Sequence, residues 1–258
     1  MHHAILDRVM ITTHYNRNDF QPKGRVLGIV PARGGSKAIH RKNIVVVAGK
    51  PLIAYTIQAA LSADHIDRVI VSTDSQEIAK VARAYGAEVP FLRPPELARD
   101  DTPGIVPILH AINWLDEHEG YRPDHVMVLQ PTSPFRTAAD IEAVIQLARE
   151  RQADAVVSVC PVHRHPYWMK KITEDGRLTD FLTTDYAYAC RQELPSVYAL
   201  NGAIYLVRRD VLLKRQTFYT ERTYAYVMPP ERSLDIDTPW DLYLAELILK
   251  EMMRHERD

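Results

Sequence analysis

The stretch GIVPARGGSKAIHRKN, Gly28–Asn43, decides how this chain is expected to fold. Its first residues belong to a short apolar run, and two glycines, a serine and five basic side chains follow. The basic residues are Arg33, Lys37, His40, Arg41 and Lys42. Glycine permits positive φ and close approach of a ligand to the backbone. The pattern therefore predicts a strand that runs into a loop for an anion.

Two common phosphate-binding loops do not fit this stretch. A P-loop needs four residues between its glycines and then Gly-Lys-Ser/Thr, whereas Gly34, Gly35, Ser36 and Lys37 stand in another order. A dinucleotide-binding loop needs a third glycine that opens a helix, and the stretch contains none. The loop is thus either a nucleotide-phosphate loop of another kind or a solvated charged turn.

The composition is that of an ordinary globular protein. Of 258 residues, 46% are hydrophobic and 25% charged, which suits one large domain or one domain with an insertion. A net charge of -1 argues against a general nucleic-acid-binding surface, so the basic loop is a local feature.

The chain shows no signal for a membrane or an oxidising compartment. No window approaches the roughly 18 to 20 apolar residues of a membrane span, and the polar start lacks the apolar core of a signal peptide. Cys160 and Cys190 are too few for a disulfide framework and are expected to be reduced. We therefore expect a cytoplasmic protein that binds neither nucleic acid nor membrane.

Short apolar runs alternate with helical patterns, which predicts an α/β fold with a mostly parallel sheet and crossover helices. Strands are expected at 25–30, 68–75, 88–92, 154–160, 202–209 and 224–230, and at the start of 125–135. Helices are expected after Pro51 and within 76–85, 103–120, 137–152 and 239–253. Pro51, Thr137 and Thr238 mark helix starts, and Gly86 and Gly120 mark helix ends.

The alternation lapses between Pro161 and Asn201, where the chain is aromatic, contains prolines and lacks a long helical period. We interpret residues 161–201 as an inserted antiparallel lobe in a main domain formed by residues 25–160 and 202–258. Residues 1–24 are interpreted as a polar, poorly ordered arm. The lobe's aromatic residues suit a dimer surface, a sugar-pocket wall or ordinary core packing. They are Tyr167, Trp168, Tyr186 and Tyr188.

A second pattern lies near the end of the chain, where LDID, Leu234–Asp237, places Asp235 and Asp237 two residues apart. In an extended segment such residues point to the same side, so both carboxylates could reach one ion. Mg²⁺ prefers one or two carboxylates together with phosphate oxygens and water. Taken alone, such a pair is more often a helix cap beside a solvated carboxylate.

The two patterns belong to a longer series of blocks. After VPARGGSKAIHRKN come GKPLIAYTI, VIVSTDS, FLRPPELARDD, LQPTSPFR, NGAIY and SLDIDTPWDL. In this order the blocks resemble the acylneuraminate cytidylyltransferase family, whose members join CMP to sialic acid and related nine-carbon sugars. The resemblance spans Val26 to about Glu251. It implies a Rossmann-like nucleotidyltransferase fold of three layers, with a dimerisation lobe and hence a homodimer.

The resemblance also implies roles for individual residues. Nucleotide-binding residues would be Ala32, Arg33, Gly34, Ser36, Lys37, Lys42, Asn43 and Arg93. Arg93 would sit near the cytosine, or else form a surface salt bridge. Sugar-binding residues would be Gln130, Thr132, Ser133, Arg136 and Asn201. Catalytic residues would be Lys37, Gln130, Asp235 and Asp237, and the two aspartates would hold Mg²⁺.

The implied reaction activates a nine-carbon 2-keto sugar acid with CTP. The anomeric 2-hydroxyl attacks the α-phosphorus in line, pyrophosphate leaves and a CMP-sugar forms. Such a step depends on positioning and charge neutralisation more than on covalent help. The sequence leaves open which group takes the hydroxyl proton.

Departures from the family pattern affect the loop and the sugar site. Ala38 and His40 stand where the family commonly has glycine and proline, and alanine disfavours positive φ. Ala199 and Leu200 stand where bacterial sialic acid members often place an arginine for the sugar carboxylate. Either another cation holds the carboxylate, or the sugar is a legionaminic, pseudaminic or deaminated nonulosonic acid. The candidate cations are Arg191, Lys170 and Lys171.

Two other functions are compatible with the motifs. One is an enzyme of the same fold that uses another nucleotide, a shorter keto sugar acid or a sugar 1-phosphate. The other is a non-catalytic nucleotide-sugar binding protein. The presence of Lys37 and both aspartates argues against the second, because a binding protein has less need to stabilise a leaving group.

Overall fold

The computed structural model describes residues 24–182 and 190–255. Within these ranges the strands are β1 (Val26–Pro31), β2 (Val46–Val47), β3 (Lys50–Pro51), β4 (Arg68–Ser72), β5 (His125–Val128), β6 (Ala155–Pro161), β7 (Lys170–Ile172), β8 (Leu178–Asp180), β9 (Tyr198–Arg208) and β10 (Thr223–Val227). The helices are α1 (Leu52–Leu61), α2 (Gln76–Ala84), α3 (Val106–Glu119), α4 (Ala138–Arg151), α5 (Arg209–Arg215) and α6 (Pro239–His255).

A six-stranded sheet in the order β10-β6-β9-β5-β1-β4 forms the centre of the molecule. β1 pairs in parallel with β4 and with β5, and β10 pairs in parallel with β6. β9 is antiparallel to both of its neighbours, β5 and β6. The predicted α/β fold with a mostly parallel sheet is confirmed.

Helices cover both faces of this sheet, because alternate residues of a buried parallel strand point to opposite sides. In β1, Val26 and Val30 enter the core beneath α1, α2 and α4, whereas Leu27 and Ile29 enter the core beneath α3 and α5. A third, smaller cluster joins α6 to β2 and includes Ile236 of the predicted aspartate motif. The motif is therefore anchored by an apolar residue between its two carboxylates.

The prediction of a strand at 88–92 is wrong. Glu88 makes one parallel bridge to Ile70, and this bridge does not extend into a strand. Pro90 lacks the N–H that a continuing ladder would need, so the pairing stops. The chain then turns toward the carboxyl edge of the sheet, where Arg93 N donates to Thr73 O (2.8 Å).

Most helix boundaries agree with their sequence signals. Thr137 caps α4 in a capping box with Asp140, and Gly120 ends α3 in the left-handed region at φ 61°. α1 begins at Leu52, with Pro51 as the flanking residue and not as the first helical one. α3 begins at Val106, later than the pattern from residue 103 suggested.

An antiparallel hairpin, β7–β8, lies within the predicted lobe. β9 begins at Tyr198, ahead of the predicted lobe boundary at Asn201, so one strand belongs to both lobe and sheet. The predicted arm, apart from Gly24, and the lobe aromatics Tyr186 and Tyr188 lie outside the described residues. No helix in the described ranges combines the length and apolarity needed to cross a membrane.

Candidate active site

The candidate site lies at the edge of the sheet where the parallel strands end, which is where open α/β sheets bind ligands. The basic loop, residues 32–43, follows β1. Ser72 ends β4 and Thr73 follows it, Gln130 follows β5, and the segment 228–237 follows β10. Three predicted patterns, the basic loop, LQPTSPFR and LDID, are thus brought to one edge.

Hydrogen bonds at both ends hold the basic loop in place. Ala32 is fully buried and its N–H donates to Ser72 O (3.0 Å). Gly34 N donates to Asp74 Oδ1 (2.9 Å), and the buried Asn43 donates through Nδ2 to Arg33 O (2.9 Å). Ala32 and Asn43, both predicted to bind nucleotide, therefore shape the loop in this structure.

Close packing explains one of the loop's glycines. A Cβ on Gly34 would lie 3.1 Å from the Cβ of Ser75, closer than nearly all such contacts. Ala38 causes no strain, since positive φ in this loop falls at Arg41 (φ 53°) instead. The departure from the family's glycine at position 38 is accommodated.

A cavity of about 650 Å³ opens at this edge. Its polar wall consists of Arg33, Asn43, Arg93, Arg99, Asp100, Thr102, Gln130, Thr132, Gln216 and Thr217. Its apolar wall consists of Leu97, Pro103, Ile105, Pro107, Ile108, Tyr205, Phe218 and other residues of the same loops. A cavity of this size, in which charged and polar side chains face apolar ones, suits a small charged molecule.

Arg93 lies inside the protein and not in a surface salt bridge, so that alternative is wrong. Its exposed fraction is 4%, and its guanidinium donates to Ser72 O and, through Nε, to Ser72 Oγ (3.2 Å). Burial lowers the pKa of Arg93 to about 10. A buried guanidinium held by the end of β4 is a fixed donor at the cavity wall.

Two cations of the basic loop share one carboxylate that lines the cavity. Arg33 Nη2 lies 2.7 Å from Asp100 Oδ1, and Lys37 Nζ lies 2.8 Å from Asp100 Oδ2. The hydrogen bond from Lys37 and the charge of Arg33 hold the pKa of Asp100 below its usual value. Ser36, between them in the chain, is half-exposed. The predicted phosphate ligands Arg33 and Lys37 thus converge on one point.

The aspartate motif is divided between a half-buried and an exposed carboxylate. Asp235 Oδ1 is buried and has no hydrogen-bond partner among the described residues. Burial raises the pKa of Asp235, Asp237 raises it further, and a hydrogen bond from Thr132 opposes them. Asp237 Oδ1 lies 3.0 Å from Lys42 Nζ, which also donates to Ile236 O (3.0 Å). Lys42, which was predicted to bind the nucleotide, therefore pairs with the carboxylate of Asp237 in this structure.

The glycine at position 202 leaves room for two functional side chains. Gly202 has φ 71°, and a Cβ there would lie 2.9 Å from Gln130 Oε1 and 3.3 Å from Asp235 Oδ2. Gln130 and Asp235 therefore converge over the backbone of β9. Glycine is required here for conformation and for space.

Arg136 lies behind the cavity wall. Its exposed fraction is 3%, and it donates through Nη1 to Gln130 O (3.2 Å) and Ala203 O (3.1 Å). Nη2 donates to Thr56 Oγ1 (2.7 Å), and burial lowers the pKa of Arg136 to about 9. In this structure Arg136 joins the loop after β5 to β9, and its contact with a sugar stays a prediction.

Ser133 and Asn201 are also buried and hydrogen-bonded within the fold. Ser133 Oγ donates to Asn201 O (3.3 Å). Asn201 Oδ1 accepts from Ser158 Oγ (2.6 Å), and its Nδ2 donates to Ser233 Oγ (3.0 Å). Asn201 thus ties β6 and β9 to the segment that carries the aspartates, and sugar contact stays a prediction for both residues.

Some cavity residues were missed by sequence reasoning, chiefly Asp100, Arg99, Tyr205 and Phe218. Asp100 stands inside a quoted block, but nothing local indicates that its partners lie in the basic loop. The rings of Tyr205 and Phe218 lie 5.4 Å apart, although the two residues come from β9 and from the loop after α5. None of the candidate carboxylate ligands Arg191, Lys170 and Lys171 lines this cavity.

No cluster of three or more His, Cys, Asp or Glu side chains suited to a metal occurs in the described ranges. A divalent ion at this edge would therefore have at most the aspartate pair as carboxylate ligands. The unpartnered, buried Asp235 Oδ1 fits such a ligand, because buried polar atoms rarely lack a partner.

Comparisons with known proteins point to one family. The cytidylyltransferase family model matches residues 27–256. A Legionella pneumophila protein named CMP-N,N'-diacetyllegionaminic acid synthase is 37% identical over 228 residues, covering 88% of this chain and 97% of its own. An Escherichia coli O18:K1:H7 protein named N-acylneuraminate cytidylyltransferase is 35% identical over 235 residues, covering 91% of this chain and 54% of its own.

A solved structure shares the fold. It is titled CMP:2-keto-3-deoxy-manno-octonic acid synthetase complexed with CTP and superimposes with a TM-score of 0.68 at 18% identity. The match covers 88% of this chain and 99% of that one. The likeness covers most of both chains, so it supports the α/β nucleotidyltransferase fold.

Proposed function

Because this chain belongs to the cytidylyltransferase family, we propose that it activates a nine-carbon 2-keto sugar acid by transfer of CMP from CTP. The observation that supports this most is the cavity, where Arg33, Arg93, Gln130 and Thr132 meet at the carboxyl edge of the sheet. One wall suits a nucleotide and its phosphates, and the apolar wall suits the ring and acyl groups of a sugar acid.

Catalysis in this proposal depends on placing the 2-hydroxyl of the sugar in line with the α-phosphorus and the departing pyrophosphate. Arg33 and Lys37 bind the phosphates and neutralise charge that develops on the leaving group. Arg93 donates toward the cytosine from its fixed position. Gln130 orients the sugar where its side chain converges with Asp235 over Gly202.

Mg²⁺ is the divalent ion that we propose for Asp235 and Asp237. When bound, it would neutralise negative charge on the phosphate oxygens. Asp235 Oδ1 is buried and has no hydrogen-bond partner among the described residues, which supports Asp235 as a ligand of the metal ion. Lys42 holds Asp237 in place through a 3.0 Å contact, so it orients the second carboxylate.

The proposed substrate class is a nonulosonic acid of the sialic, legionaminic or pseudaminic type. Ala199 and Leu200, which replace the expected arginine, are both exposed on β9. The test is mass spectrometry of reactions that contain Mg²⁺, one nucleoside triphosphate and one keto sugar acid from a panel of nine-carbon and eight-carbon acids. We expect a CMP adduct of one nine-carbon acid with release of pyrophosphate. Adducts only with another nucleotide or an eight-carbon acid would contradict the proposal.

Lys37→Ala is expected to weaken CTP binding about tenfold, because an ammonium-to-phosphate hydrogen bond is lost. Isothermal titration calorimetry with CTP measures the change. Lys80→Ala is a matched control, since Lys80 is exposed on α2 outside the cavity. A Lys37 variant that binds CTP as the wild type does would remove Lys37 from the site.

We propose that the lobe forms a homodimer interface in a cytoplasmic protein. Ile172 and Leu178 pair across the β7–β8 hairpin, and their exposed fractions are 74% and 70%. Exposed apolar side chains side by side commonly mark an interface. Cys160 and Cys190 are free thiols, which suits a reducing compartment.

Introducing charge at this pair tests the dimer. The double variant Ile172→Asp, Leu178→Asp is expected to sediment as a monomer, because two carboxylates would be desolvated in the interface. Thr179→Asp is the control, since alternate residues of a strand point to opposite faces. Sedimentation of the double variant at the wild-type mass would place the interface elsewhere.

A further inference from the structure

The loop between α2 and α3 carries a carboxylate that pairs with the basic loop beside the cavity. Residues 94–105 of this loop form much of one cavity wall. Its start is tied to the sheet, because Arg93 N donates to Thr73 O (2.8 Å). Within the loop, Leu97 N donates to Pro94 O (2.9 Å) and Thr102 N to Arg99 O (3.3 Å). The loop is therefore folded on itself, and Asp100 projects from it toward the basic loop.

Asp100 uses a different oxygen for each of its partners. Oδ1 pairs with Arg33 at 2.7 Å and Oδ2 pairs with Lys37 at 2.8 Å. The neighbouring Asp101 makes no ion pair within the described ranges. One carboxylate thus pairs with two cations of the basic loop.

We propose that Asp100 competes with the triphosphate of CTP for Arg33 and Lys37 and must be displaced when the nucleotide binds. The inference rests on the proposed function. A phosphate group and a carboxylate carry the same sign of charge, so they repel each other at contact distance. The two cations therefore exchange an internal anion for the anion of the substrate.

The exposure of the pair makes this exchange feasible. The side chains of Asp100 and Lys37 are 49% and 80% exposed. Exposed ion pairs contribute little to stability, so the contact opens without unfolding the loop. A bound triphosphate, which carries several charges, outcompetes a single carboxylate. Asp100 is therefore a residue that lowers nucleotide affinity and favours release of the pyrophosphate product.

Asp100→Asn tests the competition, with Asp101→Asn as the matched control. Both variants remove one negative charge from adjacent positions of the same loop, but only Asp100 touches the cations. We expect Asp100→Asn to bind CTP and inorganic tripolyphosphate about fivefold more tightly, the size expected for one like charge at contact distance in water. Cytidine, which has no phosphate, should bind both variants as it binds the wild type. Calorimetry at fixed ionic strength measures all three ligands.

The outcomes separate this inference from the proposed function. Equal CTP affinity in the two variants, or weaker binding by Asp100→Asn, would overturn the role of Asp100 while leaving CTP as the substrate. A wild-type protein that binds neither CTP nor tripolyphosphate would overturn the proposed function and this inference with it.

Discussion

Asp235→Asn is expected to lose about a thousandfold or more in kcat, because the proposed metal ligand and its charge are removed from the site. The carboxylate converges with Gln130 over Gly202, and in the variant a neutral amide would take its place there. The measurement is the initial rate of pyrophosphate release at saturating CTP and sugar acid. Glu231→Gln is a suitable control, since Glu231 is exposed on the same segment outside the cavity.

The stability of the Asp235 variant distinguishes a lost function from a lost fold. Burial raises the pKa of Asp235 in the folded protein, so its carboxylate opposes folding once the pH exceeds that pKa. The penalty is absent below the pKa of the unfolded chain and is present at neutral pH. Asp235→Asn should therefore unfold at the wild-type temperature or above it. A variant that keeps wild-type turnover, or one that fails to fold, would contradict this account.

Arg136→Ala is expected to lower the free energy of unfolding by about 3 to 5 kcal/mol, a large part of the stability of a typical domain. The guanidinium donates to Gln130 O, Ala203 O and Thr56 Oγ1, and its removal would take a hydrogen bond inside the protein from each of these acceptors. Urea denaturation followed by circular dichroism measures the loss.

Arg136→Lys is the informative companion variant. Lysine keeps the charge but lacks the planar fork that reaches several acceptors at once, so it should recover only part of the stability. If Arg136 instead served only to bind a sugar, both variants would unfold like the wild type while their KM for the sugar acid rose. The two measurements therefore decide between an internal role and a ligand-binding role.

Local patterns in the sequence predicted the elements that build the site. The strand before the basic loop, the capping box at Thr137 and the glycine that ends α3 each follow from residues within a few positions of one another. The carboxyl ends of parallel strands share one edge, so motifs placed after strands could be expected to meet. The 88–92 strand failed because Pro90 interrupts its hydrogen-bond ladder.

Contacts between distant parts of the chain could not be predicted in this way. Asp100 is far from Arg33 and Lys37 in the sequence, and the folded sheet brings the three side chains together. Arg136 matched a sugar-site motif, yet its guanidinium already donates hydrogen bonds to acceptors on β9 and α1. Periodicity indicates which face of an element is buried, but it does not show which polar side chains become partners inside the fold.

The strands β6 and β9 remain paired as they leave the sheet and enter the lobe, with Pro161 opposite Tyr198. A register irregularity between Val157 and Val159 of β6 interrupts this pairing, and an irregularity of this kind bends a strand. Asn201 and Gly202 of β9 lie opposite the irregularity. The position at which this ribbon bends therefore falls beside the point where Gln130 and Asp235 converge over Gly202.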